Sequence, residues 1–357
     1  MTVLRGIDFG QVWGASGVQG FHGEGWPFHR WLRLVPGFDF SGMTFVAKTV
    51  TLEPRAGNMP SHPQTLAPLQ LFPDCVAIRP LTGVVLNAVG LTNIGFEALC
   101  ERGVWFRRTS PFFLSWMAVG ATRTERAAEY RGLVTMFQRH QSGLRASVGI
   151  QLNFSCPNVE HRSEEWEALV TEIHDVLDVV GVLGVPLVPK LSVEFPVAHA
   201  ARVAEHPACD ALCASNTIPW GRLPDRIPWL RLFGSTQSPL RARGIPADGG
   251  LSGRPLLPLV AEWVRDARAV GITKPIHAGG GILAPRDVDV LVDAGADSVA
   301  LGSIAMLRPW RVQSTITYAA GKCSFAAQVR AAARSNVNPE PRRTPAARAA
   351  ADTVKEV

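Results

Sequence analysis

A regular alternation of short apolar runs with amphipathic stretches constrains the fold of this chain more than any other feature. The apolar runs lie at residues 43–50, 83–90, 112–120, 148–156, 185–192, 211–216, 274–280 and 297–303. The helical stretches lie at about 123–141, 163–182, 196–206, 255–271 and 285–294. Buried strands that alternate with amphipathic helices are typical of a parallel sheet. Eight such strands predict an α/β fold of the (β/α)8 TIM barrel class.

An open, doubly wound sheet is the alternative α/β architecture. That fold carries a GxGxxG turn after its first strand, where the backbone approaches a dinucleotide. The sequence around the end of the first apolar run, "VAKTVTLEPRAGN", has no such turn. The barrel is therefore the preferred prediction.

Three parts of the chain depart from the alternation. Residues 1–42 precede the predicted barrel and are rich in glycine and aromatic residues, so we expect them to cover it. Residues 218–250 lack periodicity, and a long loop in a compact domain is usually functional or a cover. Residues 336–357 are predicted to be a disordered tail. The barrel domain thus spans residues 43–335, with an insertion at about 218–250.

Composition and charge exclude several classes of protein. Of 357 residues, 46% are hydrophobic and 18% charged, which provides ample material for a globular core. The net charge of +6 comes largely from scattered arginines, so no nucleic-acid partner is expected. No secretory signal is expected, because the N-terminal residues lack an unbroken apolar run, and no membrane span is expected, because Asp178, glycine and proline break the longest apolar stretch. Six cysteines without a CxxC pair predict a cytoplasmic protein without a metal site.

Polar residues follow the predicted strands at their C-terminal ends, the face of a barrel that carries catalytic groups. Taken singly, a strand-end Asn is usually a turn former, a Cys a buried hydrophobe and a Lys a surface residue. Taken together, the asparagines suit a flat ligand with alternating C=O and N–H groups, and the glycine turns suit a phosphate. The set comprises Lys48, Asn87, Asn153, Cys156, Asn158, Lys190, Asn216 and Thr217, with glycine turns at residues 279–281 and 302–303.

These residues fall within motifs that occur in the same order in one known family. The motifs are "ASG" at 15–17, "KTVTLEPRAGN" at 48–58, "NAVGLTNIG" at 87–95, "LNFSCPN" at 152–158, "PKLS" at 189–192, "SNT" at 215–217, "GGLSG" at 249–253, "AGGGI" at 278–282 and "LGS" at 301–303. Each motif alone is weak, but the combination is specific. Over about residues 10–310 the chain resembles the dihydroorotate dehydrogenase family, and within it the soluble class 1 enzymes.

The resemblance implies a barrel that carries the cofactor FMN at its mouth. Transferred onto this sequence, the FMN contacts of the family are Ala15, Ser16, Gly17, Lys48, Thr49, Asn153, Lys190, Asn216, Thr217, Gly250, Gly280, Gly281, Gly302 and Ser303. Its substrate contacts are Lys48, Asn87, Gly90, Leu91, Asn153, Asn158, Asn216 and Thr217. Several residues belong to both sets, so substrate and flavin are expected to lie against each other.

The resemblance also implies the reaction, which is the oxidation of dihydroorotate to orotate in de novo pyrimidine biosynthesis. A hydride passes to flavin N5 and a proton passes to a base on the opposite face of the substrate. Class 1 enzymes have a cysteine at the base position, here Cys156. The membrane-associated class 2 enzymes have a serine there and an N-terminal amphipathic helix. Lys48 is the second expected catalytic residue, because its charge favours the reduced flavin and the developing negative charge.

Departures from the family leave alternatives open. Val89 stands where the family usually has a methionine beside the substrate, and residues 218–250 exceed the usual length. Another dihydropyrimidine is therefore an alternative substrate. A flavin-free barrel lyase with Lys190 as Schiff-base amine, and a flavoprotein that binds without reacting, are alternatives of other classes. The electron acceptor stays open between fumarate, a quinone, NAD through an iron–sulfur partner subunit, and oxygen. A homodimer and an electron-transfer partner subunit are both compatible with the sequence.

Overall fold

The computed structural model is an α/β protein, and it describes residues 2–34, 36–154, 163–214 and 216–337. Within these residues the strands are β1 Val3–Leu4, β2 Ile7–Asp8, β3 Val12–Gly14, β4 Val76–Arg79, β5 Val84–Asn87, β6 Phe112–Trp116, β7 Val148–Asn153, β8 Leu187–Leu191, β9 Leu212–Ala214, β10 Ile218–Pro219, β11 Gly250–Gly253, β12 Ile276–Gly279 and β13 Ser298–Leu301. The helices are α1 His29–Leu32, α2 Phe96–Glu101, α3 Arg123–His140, α4 Ser163–Gly181, α5 Val197–Glu205, α6 Trp229–Phe233, α7 Leu256–Ala269, α8 Asp287–Asp293, α9 Ile304–Leu307 and α10 Val312–Val337.

Seven strands form one parallel sheet in the order β3-β13-β12-β9-β8-β7-β6. Every residue of β6 and β7 is buried, as expected for strands covered on both faces. Helices α3, α4, α5, α7, α8 and α10 pack side by side in that succession. The predicted helices are confirmed by α3, α4, α5, α7 and α8, and α3 begins with a capping box between Thr122 and Glu125.

Residues 44–50 lie between the two edge strands of this sheet and bond to both. On the β3 side, Thr44 N donates to Val12 O at 2.8 Å. On the β6 side, Ala47 N donates to Phe113 O at 2.9 Å. Because one short segment contacts both edges, the sheet must curl strongly around its interior.

Six of the predicted strands are confirmed in the parallel sheet, but the run at residues 83–90 is not part of it. Its strand β5 belongs to a separate antiparallel sheet of order β10-β11-β5-β4. The remaining place is taken by β3, which lies in the predicted covering segment and pairs with β13. A short buried run looks the same in either kind of sheet, so periodicity could not separate the two.

Apolar side chains fill the interior of the curled sheet at the N-terminal ends of its strands. The hairpin of β1 and β2 brings Leu4 into this cluster, and Phe9 follows the hairpin. The Phe113 ring lies 4.3 Å from Phe9 and 4.4 Å from Trp13 between centroids. Tightly packed aromatic rings close this end of the interior.

The predicted insertion at residues 218–250 is folded. It contains β10 and α6, and Ile227 and Leu240 within it are fully buried. Trp220 packs on Trp229 at 4.9 Å and on Phe233 at 5.0 Å between ring centroids. This aromatic cluster gives the segment its own small core. The predicted disordered tail lies outside the described residues, apart from the last two residues of α10.

Candidate active site

A cavity of about 480 Å³ opens at the C-terminal ends of the parallel strands. Its wall is built from residues that are far apart in sequence but meet because parallel strands end at one edge. Sixteen residues singled out from the sequence line it: Ala15, Ser16, Gly17, Lys48, Thr49, Asn87, Gly90, Leu91, Asn153, Lys190, Asn216, Thr217, Gly280, Gly281, Gly302 and Ser303.

Three of the residues singled out from the sequence are not on this wall as described. Gly250 lies behind it, where Asn87 Nδ2 donates to Gly250 O at 3.4 Å. A Cβ at Gly250 would stand 2.3 Å from Thr217 Oγ1, so only glycine lets the strand pass so close. Cys156 and Asn158 lie outside the described residues.

Two asparagines on neighbouring parts of the wall fix each other. Asn216 Nδ2 donates to Asn153 Oδ1 at 2.8 Å, and Asn216 Oδ1 accepts from Thr217 N at 3.0 Å. Asn153 is the last residue of β7, is 8% exposed, and directs Nδ2 to Met117 Sδ at 3.7 Å. Because both amides are held, their remaining polar groups have defined directions toward a ligand.

Lys48 is the cation on one side of the cavity. Its Nζ donates to Thr92 O and lies 4.6 Å from the centroid of the Phe21 ring. Burial lowers the pKa of Lys48 to about 7, against the opposing effects of Cys75 and Glu24. Burial also raises the pKa of the Cys75 thiol to about 11, so this thiol is uncharged at neutral pH. The negative charge that favours the Lys48 ammonium therefore comes from Glu24.

A second lysine stands across the cavity on β8. Lys190 is paired in register with Asn153 on one side and Cys213 on the other. It lines the cavity, and the surrounding protein lowers its pKa by burial. No hydrogen-bond acceptor for its ammonium is found among the described residues, which leaves its donors available.

The turn after β5 has unusual backbone geometry. Gly90 and Leu91 both have positive φ, 72° and 58°, and this conformation is strained for leucine. Asn93, which is 5% exposed, supports the turn by donating from Nδ2 to Leu91 O at 2.7 Å and to Thr51 Oγ1 at 2.8 Å. Its Oδ1 accepts from Gly95 N at 2.8 Å. Asn93 therefore holds the cavity-lining Leu91 in place.

Replacing Asn93 with Ala is expected to lower the free energy of unfolding by roughly 2–4 kcal/mol, because several buried hydrogen bonds lose their partner. Urea denaturation followed by circular dichroism measures the change. Asn93→Asp keeps the acceptor for Gly95 but turns a buried carboxylate oxygen toward Leu91 O, so it should destabilise the protein at least as much as Asn93→Ala. Equal denaturation midpoints for all three proteins would rule out this supporting role.

Part of the cavity wall was not predicted from the sequence. Residues 20–26 and 59–68 supply it, and no residue of the predicted insertion at 218–250 lines the cavity. Glu24 is the charged member; its carboxylate accepts from His22 N at 2.8 Å, and burial raises its pKa. Neither loop carries a motif of the family. The only sequence feature that pointed to residues 20–26 was the glycine and aromatic content of the N-terminal segment. From these two loops the lining side chains are Phe21, Glu24, Trp26, Met59, Leu66 and Pro68.

Two classes of site are not found in the part of the chain that the structure describes. No cluster of three or more His, Cys, Asp or Glu residues there is arranged to hold a metal ion. Among the same residues, no helix combines the length and the apolar character needed to cross a membrane. The chemistry of the cavity thus depends on lysines, amides, hydroxyls and backbone groups.

Comparison with known proteins gives one consistent result. The family model of dihydroorotate dehydrogenase matches residues 2–318. A dihydroorotate dehydrogenase A (fumarate) of Limosilactobacillus reuteri is 30% identical over 275 residues, covering 74% of this chain and 76% of the relative. A dihydroorotate dehydrogenase B (NAD(+)) catalytic subunit of Endomicrobium trichonymphae is 29% identical and covers 74% of each chain. A catalytic subunit of the same name from Cutibacterium acnes is 26% identical, covering 74% of this chain and 76% of the relative. The chain therefore belongs to the dihydroorotate dehydrogenase family and, within it, to the class 1 type.

Proposed function

We propose that the protein oxidises dihydroorotate to orotate with bound FMN, as a step of de novo pyrimidine biosynthesis in the cytoplasm. The family is one of flavin-dependent oxidoreductases that act on a CH–CH bond, and the chain is an enzyme of this kind. The observation that carries the proposal is the convergence of Lys48, Lys190, Asn153 and Asn216 on one cavity. Cationic and amide groups facing one space suit a flat ring system that bears carbonyl and N–H groups.

The proposed scaffold is a closed eight-stranded (β/α)8 barrel. Residues 44–50 would be its eighth strand, placed between β3 and β6. The hydrogen bonds of Thr44 to β3 and of Ala47 to β6 support this arrangement. The cavity then lies at the C-terminal face, where barrels of this class carry their active sites.

The residues of the cavity fit FMN. The volume of about 480 Å³ lies within the usual range for cofactor sites. In the described structure the N–H groups of Gly281, Gly302 and Ser303 donate to no other residue, and successive backbone N–H groups of this kind suit a phosphate. Ser16 Oγ lies 2.9 Å from Thr49 Oγ1, which adds hydroxyl groups to the same wall. The Lys190 ammonium, which has no acceptor among the described residues, suits an electron-rich edge of the ring system.

The roles of the described residues in the reaction follow from these positions, and those of Cys156 and Asn158 follow from the family motif that contains them. FMN, when bound, supplies the hydride acceptor. The asparagines Asn87, Asn153, Asn158 and Asn216 orient the pyrimidine ring of the substrate. Cys156 takes the proton from C5 as the hydride leaves C6, so the two hydrogens depart from opposite faces. Lys48, on the cavity wall, favours the negative charge that develops on the substrate.

The simplest test uses the purified chain. It should be yellow, with the absorbance of an oxidised flavin, and dihydroorotate should bleach it under anaerobic conditions. Bleaching by dihydrouracil but not by dihydroorotate would show that the substrate is another dihydropyrimidine. A colourless protein that is nevertheless active would favour the flavin-free lyase with Lys190 as Schiff-base amine. Reoxidation by fumarate, NAD, quinone and oxygen is then compared. Oxidation by NAD only after a second subunit is added would indicate an electron-transfer partner, as the words "catalytic subunit" in the names of two relatives suggest.

The affinity for orotate should depend on pH through Lys48. The pKa of Lys48 is about 7 in the ligand-free cavity, and the orotate carboxylate favours its charged form. Below about pH 7 the ammonium is present and the affinity is constant; above it, binding must take up a proton. The dissociation constant should then rise by up to about tenfold per pH unit. Flavin absorbance titrations measure it, and Lys48→Met should bind weakly without this dependence. A wild-type affinity that is flat across this range would contradict the assignment.

A further inference from the structure

A row of polar residues lies at the floor of the cavity. Asn153, Lys190, Cys213, His277 and Ser298 follow one another in register across five adjacent parallel strands. Residues at one register position project to the same side of a parallel sheet. Lys190 and Cys213 line the cavity from this row, while His277 and Ser298 are buried below it. The row therefore connects the cavity to buried polar groups that the proposed reaction does not use.

His277 is the first of these buried groups. It is 1% exposed, its ring stacks on Trp13 at 3.8 Å between centroids, and Nδ1 lies 2.9 Å from Ser298 Oγ. Its Nε2 has no partner in the described structure. Burial, with a contribution from the charge of Lys190, lowers the pKa of His277 to about 3, so the ring is neutral. With Nδ1–H donating to Ser298, Nε2 is a free acceptor.

Gln151, two residues before Asn153 on β7, is a second buried polar group and lies at the cavity wall. It is 2% exposed on β7, and its Nε2 donates to Cys213 Sγ on β9 at 3.6 Å. The amide therefore crosses beneath β8, the strand that carries Lys190. Its Oε1 is buried without a partner among the described residues. Burial raises the pKa of Cys213 to about 11, so the thiol beside this amide is uncharged.

Two buried acceptors thus lie on strands to either side of β8, and neither they nor the Lys190 ammonium has a partner among the described residues. Neighbouring parallel strands lie about 4.8 Å apart, so Lys190 and His277, two strands apart, begin about 10 Å from each other. A lysine side chain and an imidazole together span that separation. An ammonium has three N–H donors, and an orphaned buried acceptor is costly. Pairing the groups satisfies both sides.

We propose that His277 Nε2 and Gln151 Oε1 together hold the Lys190 ammonium and direct its third N–H to the ligand in the cavity. His277 and Gln151 are positioning residues in this scheme, since they act through Lys190. The inference rests on the proposed function, in which that ligand is FMN. The inference adds that two neutral side chains, those of His277 and Gln151, orient the charge of Lys190.

The neutrality of both acceptors has a functional consequence. A carboxylate in either place would hold Lys190 equally well but would cancel its charge. A neutral imidazole and an amide hold the ammonium and leave its full charge for the ligand. Reduced flavin carries more negative charge than oxidised flavin, so an oriented cation favours the reduced form.

The test measures the dissociation constants of oxidised and reduced FMN and the midpoint potential of the bound flavin. His277→Phe keeps a ring that can stack on Trp13 but has no acceptor, and Gln151→Leu removes the amide. Each variant should weaken the binding of reduced FMN about tenfold more than the binding of oxidised FMN, because the Lys190 ammonium loses a hydrogen bond that orients it. That ratio lowers the midpoint potential by about 30 mV for a two-electron couple.

Conservative variants separate orientation from packing. His277→Gln restores an acceptor and should recover most of the potential. Gln151→Glu keeps an acceptor but cancels charge, so its potential should fall below that of Gln151→Leu. Thr315→Val removes a buried hydroxyl on α10, away from the cavity, that has no partner among the described residues, so it controls for loss of a buried polar group as such. Unchanged potentials in His277→Phe and Gln151→Leu that still bind FMN would overturn this inference and leave the proposed function standing. Wild-type protein that binds no FMN would instead overturn the proposed function.

Discussion

Replacing Cys156 with Ala should slow the reduction of bound flavin by dihydroorotate by about 10²- to 10⁴-fold, the usual contribution of a positioned base. In the proposed reaction the substrate loses a proton from C5 as well as a hydride from C6, and alanine cannot accept that proton. FMN content and orotate affinity should stay close to wild type, because neither depends on the thiol. Anaerobic stopped-flow measurement of flavin absorbance gives the rate directly.

The pH dependence distinguishes a base from a packing residue. At saturating dihydroorotate, whose carboxylate favours charged Lys48, wild-type reduction should rise with pH through one ionisation, since the thiolate accepts the proton, and this step should vanish in Cys156→Ala. Cys156→Ser should recover part of the rate only at higher pH, because a hydroxyl is a poorer proton acceptor. A buried packing cysteine predicts the opposite pattern, a modest loss of stability with the rate preserved. Equal rates for wild type and Cys156→Ala would therefore exclude the base assignment.

The sequence predicted most of the parallel sheet because its strands are short, apolar and separated by clearly amphipathic helices. The predicted strand order was wrong for two short runs. The run at 83–90 has the composition of a barrel strand, yet β5 pairs antiparallel with β4 and β11. Strand β3 has only three residues, too few for any periodicity. Long-range packing decides which of the two short runs enters the sheet. Trp13 on β3 packs against Phe113 and His277, and these contacts place β3 in the sheet.

The candidate site was predictable where polar residues end strands or occupy motifs, and unpredictable elsewhere. Lys48, Asn153, Lys190 and the glycine turns stand at positions where a core residue would be expected, so their chemistry is visible in the sequence. The loops at 20–26 and 59–68 reach the cavity only through tertiary folding. Gln151 and His277 escaped notice for another reason. They lie inside buried strands, and a single polar residue in a buried strand gives no sign of function in the sequence until its neighbours in the fold are known.

Gly281→Val should reduce the affinity for FMN by roughly 100-fold or more, so that the protein purifies colourless. Gly281 has φ of 77°, and a Cβ there would stand 2.7 Å from Leu257 N and 2.9 Å from Gly253 O. Both contacts are backbone atoms, so the turn itself must move. The movement displaces the N–H groups proposed to bind the phosphate, and each lost bond to an anion weakens binding about tenfold or more.

A second glycine separates crowding from backbone strain. Gly271, after α7, also has positive φ, 92°, but a Cβ there meets nothing within 4 Å. Gly271→Val should therefore lose about 1–2 kcal/mol of stability from its left-handed backbone while it keeps FMN. Gly281→Val should lose stability as well, but flavin fluorescence titration should show that only this variant fails to bind FMN at a temperature where both are folded. If both variants bind FMN as wild type does, the phosphate is held elsewhere. If both lose it equally, general destabilisation explains the effect, because the two positions share strain but only Gly281 lines the cavity.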